Sequence, residues 1–478
     1  MFQERESRNK EQLEYIRKES LDIYNRLHSI NEDVIFVNRV YEEYAPHNLP
    51  LLPNLRCGAW YTNPSIATDV PAYFKSTDGH FNNWSFNLRR ANLHLLTLIV
   101  ERKGLILVDS TRSGKRIPDA LSKTIPIWCA VVNRAIRLRY PETPSSWDSS
   151  LYTPPQSVSV QEHHLIEQRL DGWAKELMNS TFSLPQLAYP LRPFWITPST
   201  SVLPSLRIFE DMSHSPVICV SASKQIDEAF ERRSSGFSYV QGSGDDHELW
   251  GLGLTPDAFW RNRGRLLAAT RTELPDLIAS VLVSSTEGGG ARCQPTPVAK
   301  VDGQILICAS DDIMKQNDLD TSSDSLAVAN LAYVIITTGD DSGEQATPPS
   351  NPSSKTLRFK IPEGKKGQAR FLRKVLPESL PFIAAHLRKG NRVCISCPSG
   401  KDTSVGLALV GLQLFFDGDG QFVSQGRPSS IATKQSIRQR LEWIISSRPE
   451  ANPSRSTLQR VNEFILSGSP STEAITRD

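Results

Sequence analysis

The stretch Arg392-Val393-Cys394-Ile395-Ser396-Cys397-Pro398-Ser399-Gly400-Lys401-Asp402-Thr403-Ser404 decides how the C-terminal part of this chain reads. Residues 392–396 have the length and apolar content of a short buried strand. Residues 397–402 bring a proline, a glycine and small hydroxyls, the composition of a loop. From Thr403 to Phe416 the sequence is almost continuously apolar and too long for one strand, so it reads as a buried helix. A strand, a glycine-containing loop and a helix N-terminus form a recurrent anion site. Backbone N–H groups converge there and the helix dipole favours negative charge. Working outward, a strand is expected over 356–361, a helix ending at Lys389-Gly390, and further helices over 434–447 and 456–466.

The remaining sequence is consistent with an α/β protein. Apolar residues at Leu13, Ile16, Leu21, Ile23, Leu27 and Ile30 recur at helical spacing, predicting one or two amphipathic helices over residues 4–43. Short segments over 93–100, 104–109 and 125–132 read as α/β elements, with helices over 161–179 and 256–269 and a strand over 217–221. Composition shifts at Glu287-Gly288-Gly289-Gly290 and again over 339–354, which is acidic and then rich in Pro and Ser, as an exposed loop would be. These shifts suggest an α+β N-terminal domain over residues 1–295 and an α/β C-terminal domain over 296–478.

With 478 residues, 39% hydrophobic and 22% charged, the chain has the composition of a globular protein rather than a disordered or membrane one. No apolar run is long enough for a bilayer, and the first residues lack a secretory leader. Seven scattered cysteines suit free thiols in a reducing compartment, so a cytoplasmic or nuclear location is expected. Cys394-Ile395-Ser396-Cys397 has no second cysteine pair, which argues against zinc. The net charge of +2 neither requires nor excludes nucleic acid, but Arg89-Arg90, Arg112, Lys115-Arg116 and Arg134, Arg137 and Arg139 form basic clusters.

Four stretches before residue 260 carry more polar chemistry than folding needs. They are Lys75-Ser76-Thr77-Asp78-Gly79-His80-Phe81-Asn82-Asn83-Trp84, then 87–95 with Arg89 and Arg90, then Asp109-Ser110-Thr111-Arg112-Ser113-Gly114-Lys115-Arg116, and Gln241-Gly242-Ser243-Gly244-Asp245-Asp246-His247-Glu248-Leu249-Trp250. The third follows a strand end, a common ligand position in α/β sheets, and its hydroxyls with Arg112 and Lys115 suit phosphate. Asp245 and Asp246 could hold magnesium, and His247 could act as a base. Turn aspartates, helix caps and solvated charges are the alternative reading of each stretch.

Residues 356–466 resemble the dual-specificity phosphatase fold. Cys397 and Gly400 fall in that family's register, but Thr403 stands where it has the phosphoryl-gripping arginine. Ser396 stands where it has a histidine, and Glu363-Gly364-Lys365-Lys366 supplies no general-acid aspartate. Without the arginine a thiolate attack on phosphorus loses its clamp and its charge stabilisation. What remains is a binding loop, Ser399, Gly400, Lys401, Asp402, Thr403 and Ser404. Lys401 would be its cation, and Asp402 would suit a ribose hydroxyl or a magnesium ion; a plain helix cap is the alternative.

Residues 75–80, 109–112, 123–129 (Lys123-Thr124-Ile125-Pro126-Ile127-Trp128-Cys129), 241–250 and 397–404 resemble the signature blocks of the initiator-tRNA 2′-O-ribosyl-phosphate transferases, and the resemblance runs along nearly the whole chain. It implies transfer of 5-phosphoribosyl from phosphoribosyl pyrophosphate to the 2′-hydroxyl of a T-stem purine, position 64, of initiator methionine tRNA, which keeps that tRNA from elongation. It further implies Mg2+ as cofactor, with Asp245 and Asp246 as candidate ligands, and donor phosphates on residues 399–404 with Arg112 and Lys115. Asp78, His80 and His247 are the candidate bases, with Asp245, Asp246 and Asp402 as further catalytic candidates. Lys75, Arg89, Arg90, Arg116 and Lys123 are expected to face the RNA, whose A-form stem is read by shape through a broad basic surface. A phosphate- or RNA-binding protein without turnover, or an atypical RNA phosphatase, is the alternative.

Overall fold

The computed structural model describes residues 2–54, 57–112, 114–204, 213–287, 295–310, 330–339, 355–423 and 432–466. The chain divides into two compact units, Met1–Gly290 and Ala291–Asp478.

In the first unit the helices α1 (Phe2–Leu21) and α2 (Ile23–Tyr44) are separated at Asp22, whose carboxylate caps α2 by accepting the Asn25 N–H. Four strands, β1 (Leu51–Pro53), β2 (Leu105–Asp109), β3 (Leu191–Ile196) and β4 (Ser215–Ser221), form a parallel sheet in the order β1-β2-β4-β3. Along β2, Leu105 and Leu107 enter one apolar cluster while Ile106 and Val108 enter another. Val217 and Cys219 of β4, opposed by Ile218 and Val220, divide in the same way. Both faces are therefore buried, which is why these strands lack an alternation of polar and apolar residues. The helices α4 (His94–Arg102), α5 (Ile125–Arg139) and α6 (Val160–Met178) contribute to the first cluster. The short α3 (Gly58–Tyr61), with α2, α7 (Pro256–Ala268) and α8 (Leu274–Glu287), contributes to the second. A small antiparallel pair, β5 (Glu231–Arg232) with β6 (Ser238–Tyr239), completes the unit.

The second unit holds a five-stranded sheet in the order β10-β9-β11-β8-β7, namely β10 (Thr356–Ile361), β9 (Leu331–Thr338), β11 (Arg392–Cys397), β8 (Ile305–Ala309) and β7 (Thr296–Pro297). All pairs are parallel except β7 with β8. The helices are α9 (Gly364–Arg370), α10 (Leu376–Arg388), α11 (Thr403–Phe415), α12 (Lys434–Ser447) and α13 (Arg455–Leu466). A turn of π-helix over Phe371–Val375 joins α9 to α10. Helix α11 is buried nearly all round, so its sequence shows no apolar stripe.

The mixed helix-and-sheet class matches the sequence reading. The segment at 93–100 proves helical, and β3, β8, β9 and α8 are elements that the sequence reading did not locate. The shift at 288–290 and the loop at 340–354 lie outside the described residues. Because Leu409 on α11 is fully buried, Leu409→Ala should destabilise the second unit by roughly 2–5 kcal/mol. Denaturant unfolding followed through that unit's Trp443 is the check.

Candidate active site

At the carboxyl ends of the parallel strands of the first unit every exit is polar: Asn54 after β1, Asp109 and Ser110 at β2, Thr197 after β3, and Ser221 to Ser223 at β4. Asp109 is 1% exposed. Its carboxylate accepts from Asn54 Nδ2 at 2.8 Å, from Cys57 Sγ at 3.0 Å and from the Ser110 N–H at 2.8 Å. Burial and the adjacent Asp109 charge push the Cys57 thiol up, so it stays protonated and remains a donor. Asp109 thereby fixes where the loop beginning at Ser110 leaves the sheet.

The loop 241–246 packs onto that one. Gly242, at φ +67°, lies so close to the Thr111 carbonyl that a Cβ would come within 2.5 Å of it. Gln241 donates to the Lys115 carbonyl at 2.6 Å and accepts the Ile226 N–H at 3.1 Å. Arg112 pairs with Asp245 at 3.2 Å and also with Asp246. The Arg112 side chain is 63% exposed and that of Asp245 only 6%, so the cation covers a carboxylate set in the wall. His247 lies tilted against Trp60, ring centroids 5.7 Å apart. From α2, Arg26 donates to the Ser243 carbonyl at 3.0 Å and lies over Trp250, with its guanidinium pKa lowered by burial.

A second charged group lies where residues 75–84 meet the start of α5. The Asp119 carboxylate takes Lys115 Nζ at 2.6 Å and Lys123 Nζ at 3.0 Å, and His80 Nε2 stands 3.7 Å away. Lys123 also pairs with Glu162 at 3.1 Å, and Glu162 accepts from Trp84 Nε1 at 3.0 Å. Burial alone would raise Asp119, but hydrogen bonds from Lys115 and Lys123 hold it below the ordinary carboxylate value. Lys123 was expected on an RNA surface. It is instead a buried staple between two carboxylates, a role that sequence position cannot distinguish from an exposed one.

Asp78 is likewise engaged, gripped by Arg90 at 2.9 Å. That pair occupies both a candidate base and a candidate RNA contact, because a half-buried carboxylate needs a counter-charge. Lys75 and Arg89 lie in the same patch, and both are lowered, first by burial and then by the neighbouring Arg90 charge. Arg116 is bonded to Gln156, Thr197 and Ser199. The structure thus brings 75–80, 109–119 and 241–246 together. Sequence reasoning missed Arg26, Asp33, Tyr61, Asp119, Glu162 and Ser223, each of which reads locally as an ordinary helix or turn residue.

In the second unit, the strand ends of β9, β10 and β11 border a cleft of about 390 Å³ lined by Thr338, Glu363, Gln368, Cys397, Ser399, Asp402 and Thr403 among others. Gly400, at φ +64°, has no room for a Cβ, which would come within 2.8 Å of the Ala309 nitrogen. Burial raises the Cys397 thiol, but the Ser404 hydroxyl at 3.0 Å and the backbone N–H groups of Ser404 and Asp402 outweigh it and leave the thiol below its ordinary value. No arginine lines this cleft among the described residues. Arg448 lies beneath the loop instead, donating to Gly400 O at 2.9 Å and pairing with Glu450, with its side chain 2% exposed. Asp402, expected to meet a ribose or a metal, accepts the Ser454 N–H at 2.8 Å and so anchors the chain leading into α13. The thiol pKa is lowered, but among the described residues no arginine stands in the cleft to hold a transferring phosphoryl.

A family model described as the Rit1 N-terminal domain matches residues 16–283, and one described as the Rit1 DUSP-like domain matches residues 355–465. An uncharacterized protein of Schizosaccharomyces pombe is 37% identical over 469 residues, covering 93% of this chain and 94% of its own. A Saccharomyces cerevisiae protein named tRNA A64-2′-O-ribosylphosphate transferase is 33% identical over 497 residues, covering 94% of this chain and 93% of its own. Among solved structures, human DUSP28 is 13% identical, covers 38% of this chain and 98% of its own, and has a TM-score of 0.25, too low to bear on function.

Replacing Asp119 by Asn should lower the stability of the first unit near neutral pH. The Asp119 pKa is depressed in the folded state, so its contribution is present above the ordinary value of 3.8 and is lost as pH falls through the folded value. Urea unfolding at pH 7 and pH 3 should show a gap between wild type and variant that closes in acid.

Proposed function

The chain belongs to the Rit1 family, and from that membership we infer that it transfers a phosphorylated ribose to the 2′-hydroxyl of adenosine 64 of initiator methionine tRNA. The observation that carries the inference is collinear identity to a tRNA ribosylphosphate transferase over 94% of this chain. We take phosphoribosyl pyrophosphate as the donor and the T-stem as the place of modification.

Bond breaking at C1 of the donor ribose builds positive charge on the sugar and negative charge on the leaving diphosphate, so catalysis requires fixed charges of opposite sign at each. Asp245 and Asp246 supply two carboxylates beside Arg112. Two carboxylates with substrate phosphates form the donor set that magnesium uses, since it keeps waters for its other positions. Magnesium bound there would neutralise the diphosphate. Arg112, exposed and already paired with both carboxylates, is the cation that would turn to the diphosphate, with His80 beside Asp119 and His247 beside Trp60 as candidate bases. Lys75 and Arg89 offer charge to RNA phosphates.

In the second unit, Lys401 and residues 399–404 form a separate candidate phosphate cradle, the alternative to the first-unit site for the donor's phosphates. The missing arginine favours binding over phosphatase chemistry.

Labelled phosphoribosyl pyrophosphate should transfer its ribose phosphate to initiator tRNA and stop doing so in EDTA; no transfer by folded protein would overturn the reading. Lys401→Ala should raise KM for the donor about tenfold, equivalent to ~1.4 kcal/mol; an unchanged KM would place the donor phosphates elsewhere. Cys397→Ser should leave transfer within about twofold of wild type, whereas complete loss would move the chemistry onto the thiol.

A further inference from the structure

Behind the loop that begins at Ser110, side chains from separate segments of the first unit form one buried hydrogen-bonded chain. Asp33 on α2 is 3% exposed. Its carboxylate accepts from Ser223 Oγ at 2.6 Å and from the Tyr239 hydroxyl at 2.8 Å. Ser223 Oγ lies 2.6 Å from Ser110 Oγ. A serine hydroxyl has one proton, and that of Ser223 is committed to Asp33, so Ser110 is the donor between them. The proton donors therefore run in one direction, from Ser110 through Ser223 to Asp33. Nearby, the Tyr61 oxygen accepts the Gly244 N–H at 2.7 Å.

A network that served packing alone could end in an amide or a hydroxyl. Ending it in a carboxylate that is dehydrated and satisfied by neutral hydroxyls costs free energy, and such costs cluster where proton chemistry occurs. Burial pushes Asp33 well above the ordinary carboxylate value and the nearby Glu32 charge adds to this; the Ser223 and Tyr239 hydroxyls and the Arg233 charge oppose it. Tyr61 and Tyr239 are themselves pushed up, first by burial, and so stay neutral.

Resting on the transferase reading, we propose that Ser110, Ser223 and Asp33 form the relay that takes up the proton released by the acceptor 2′-hydroxyl, with Asp33 as its terminus and Ser223 as its positioning residue. The 2′-oxygen bonds to C1 of the donor as the C1–O bond to pyrophosphate breaks and its electron pair leaves with pyrophosphate. The 2′ proton passes to Ser110 Oγ, that of Ser110 to Ser223, and that of Ser223 to the Asp33 carboxylate, which ends neutral.

The test is steady-state transfer from phosphoribosyl pyrophosphate to initiator tRNA across pH for wild type, Ser223→Ala, Ser223→Thr and Asp33→Asn, with thermal unfolding of each. The wild-type kcat should rise with pH as Asp33 ionises. Ser223→Ala should lower kcat about 10²-fold with both KM values within about twofold of wild type, Ser223→Thr should restore it, and Asp33→Asn should remove the rising limb. Should Asp33→Asn fail to fold, the two Ser223 variants carry the test. A Ser223→Ala enzyme of normal kcat, or one whose loss only tracks unfolded protein, would overturn the relay. Absence of transfer by wild type would instead remove the transferase reading on which it rests.

Discussion

The carboxylate of Asp109 is the constraint on which the first unit's site depends. A parallel strand buried on both faces can present chemistry only at its end, and β2 ends on this residue. Held by Asn54, Cys57 and the Ser110 N–H, Asp109 ties the exit of β1 to the exit of β2. Hydrogen bonds to a charged acceptor contribute about 1.5–3 kcal/mol each, and a buried carboxylate stripped of them would be costly. The loop carrying Ser110, Arg112 and Lys115 therefore leaves the sheet in one direction. Gly242 then lets the 241–246 loop close onto it, bringing Asp245 and Asp246 to Arg112.

Much of the polar sequence around this edge is scaffold. Asp78 with Arg90, Lys123 between Asp119 and Glu162, and Arg116 on Thr197 and Ser199 each hold one segment against another. Arg112, Lys115, His80 and Lys75 keep substantial exposure. The second unit makes the complementary point. Its loop keeps the Ser404 hydroxyl and the backbone N–H groups that hold the Cys397 thiol below its ordinary value, while Arg448, buried under Gly400, acts on the loop and not in the cleft.

The sequence carried the second unit's strand–loop–helix well, because β11, the loop and α11 follow one another and α11 is apolar throughout. Residues 356–361 matched β10 for a similar local reason: Leu357, Phe359 and Ile361 alternate with polar residues. In contrast β3, β8 and β9 have no such neighbours in sequence and are defined by pairing, which local periodicity does not report. The polar blocks were legible as unusual, but their roles were not. Whether Lys123 meets RNA or is buried against a second carboxylate depends on where α6 delivers Glu162, and Asp33 reads as a solvated helix residue until β4 and β6 deliver Ser223 and Tyr239 to it.

The most direct measurement is nuclease mapping with mass spectrometry of initiator tRNA incubated with the protein, phosphoribosyl pyrophosphate and magnesium. The account predicts one added phosphoribosyl group, at adenosine 64, that disappears when the 2′-hydroxyl of that nucleotide is replaced by hydrogen. An unmodified tRNA, a group added at another nucleotide, or addition that survives removal of the 2′-hydroxyl would contradict it.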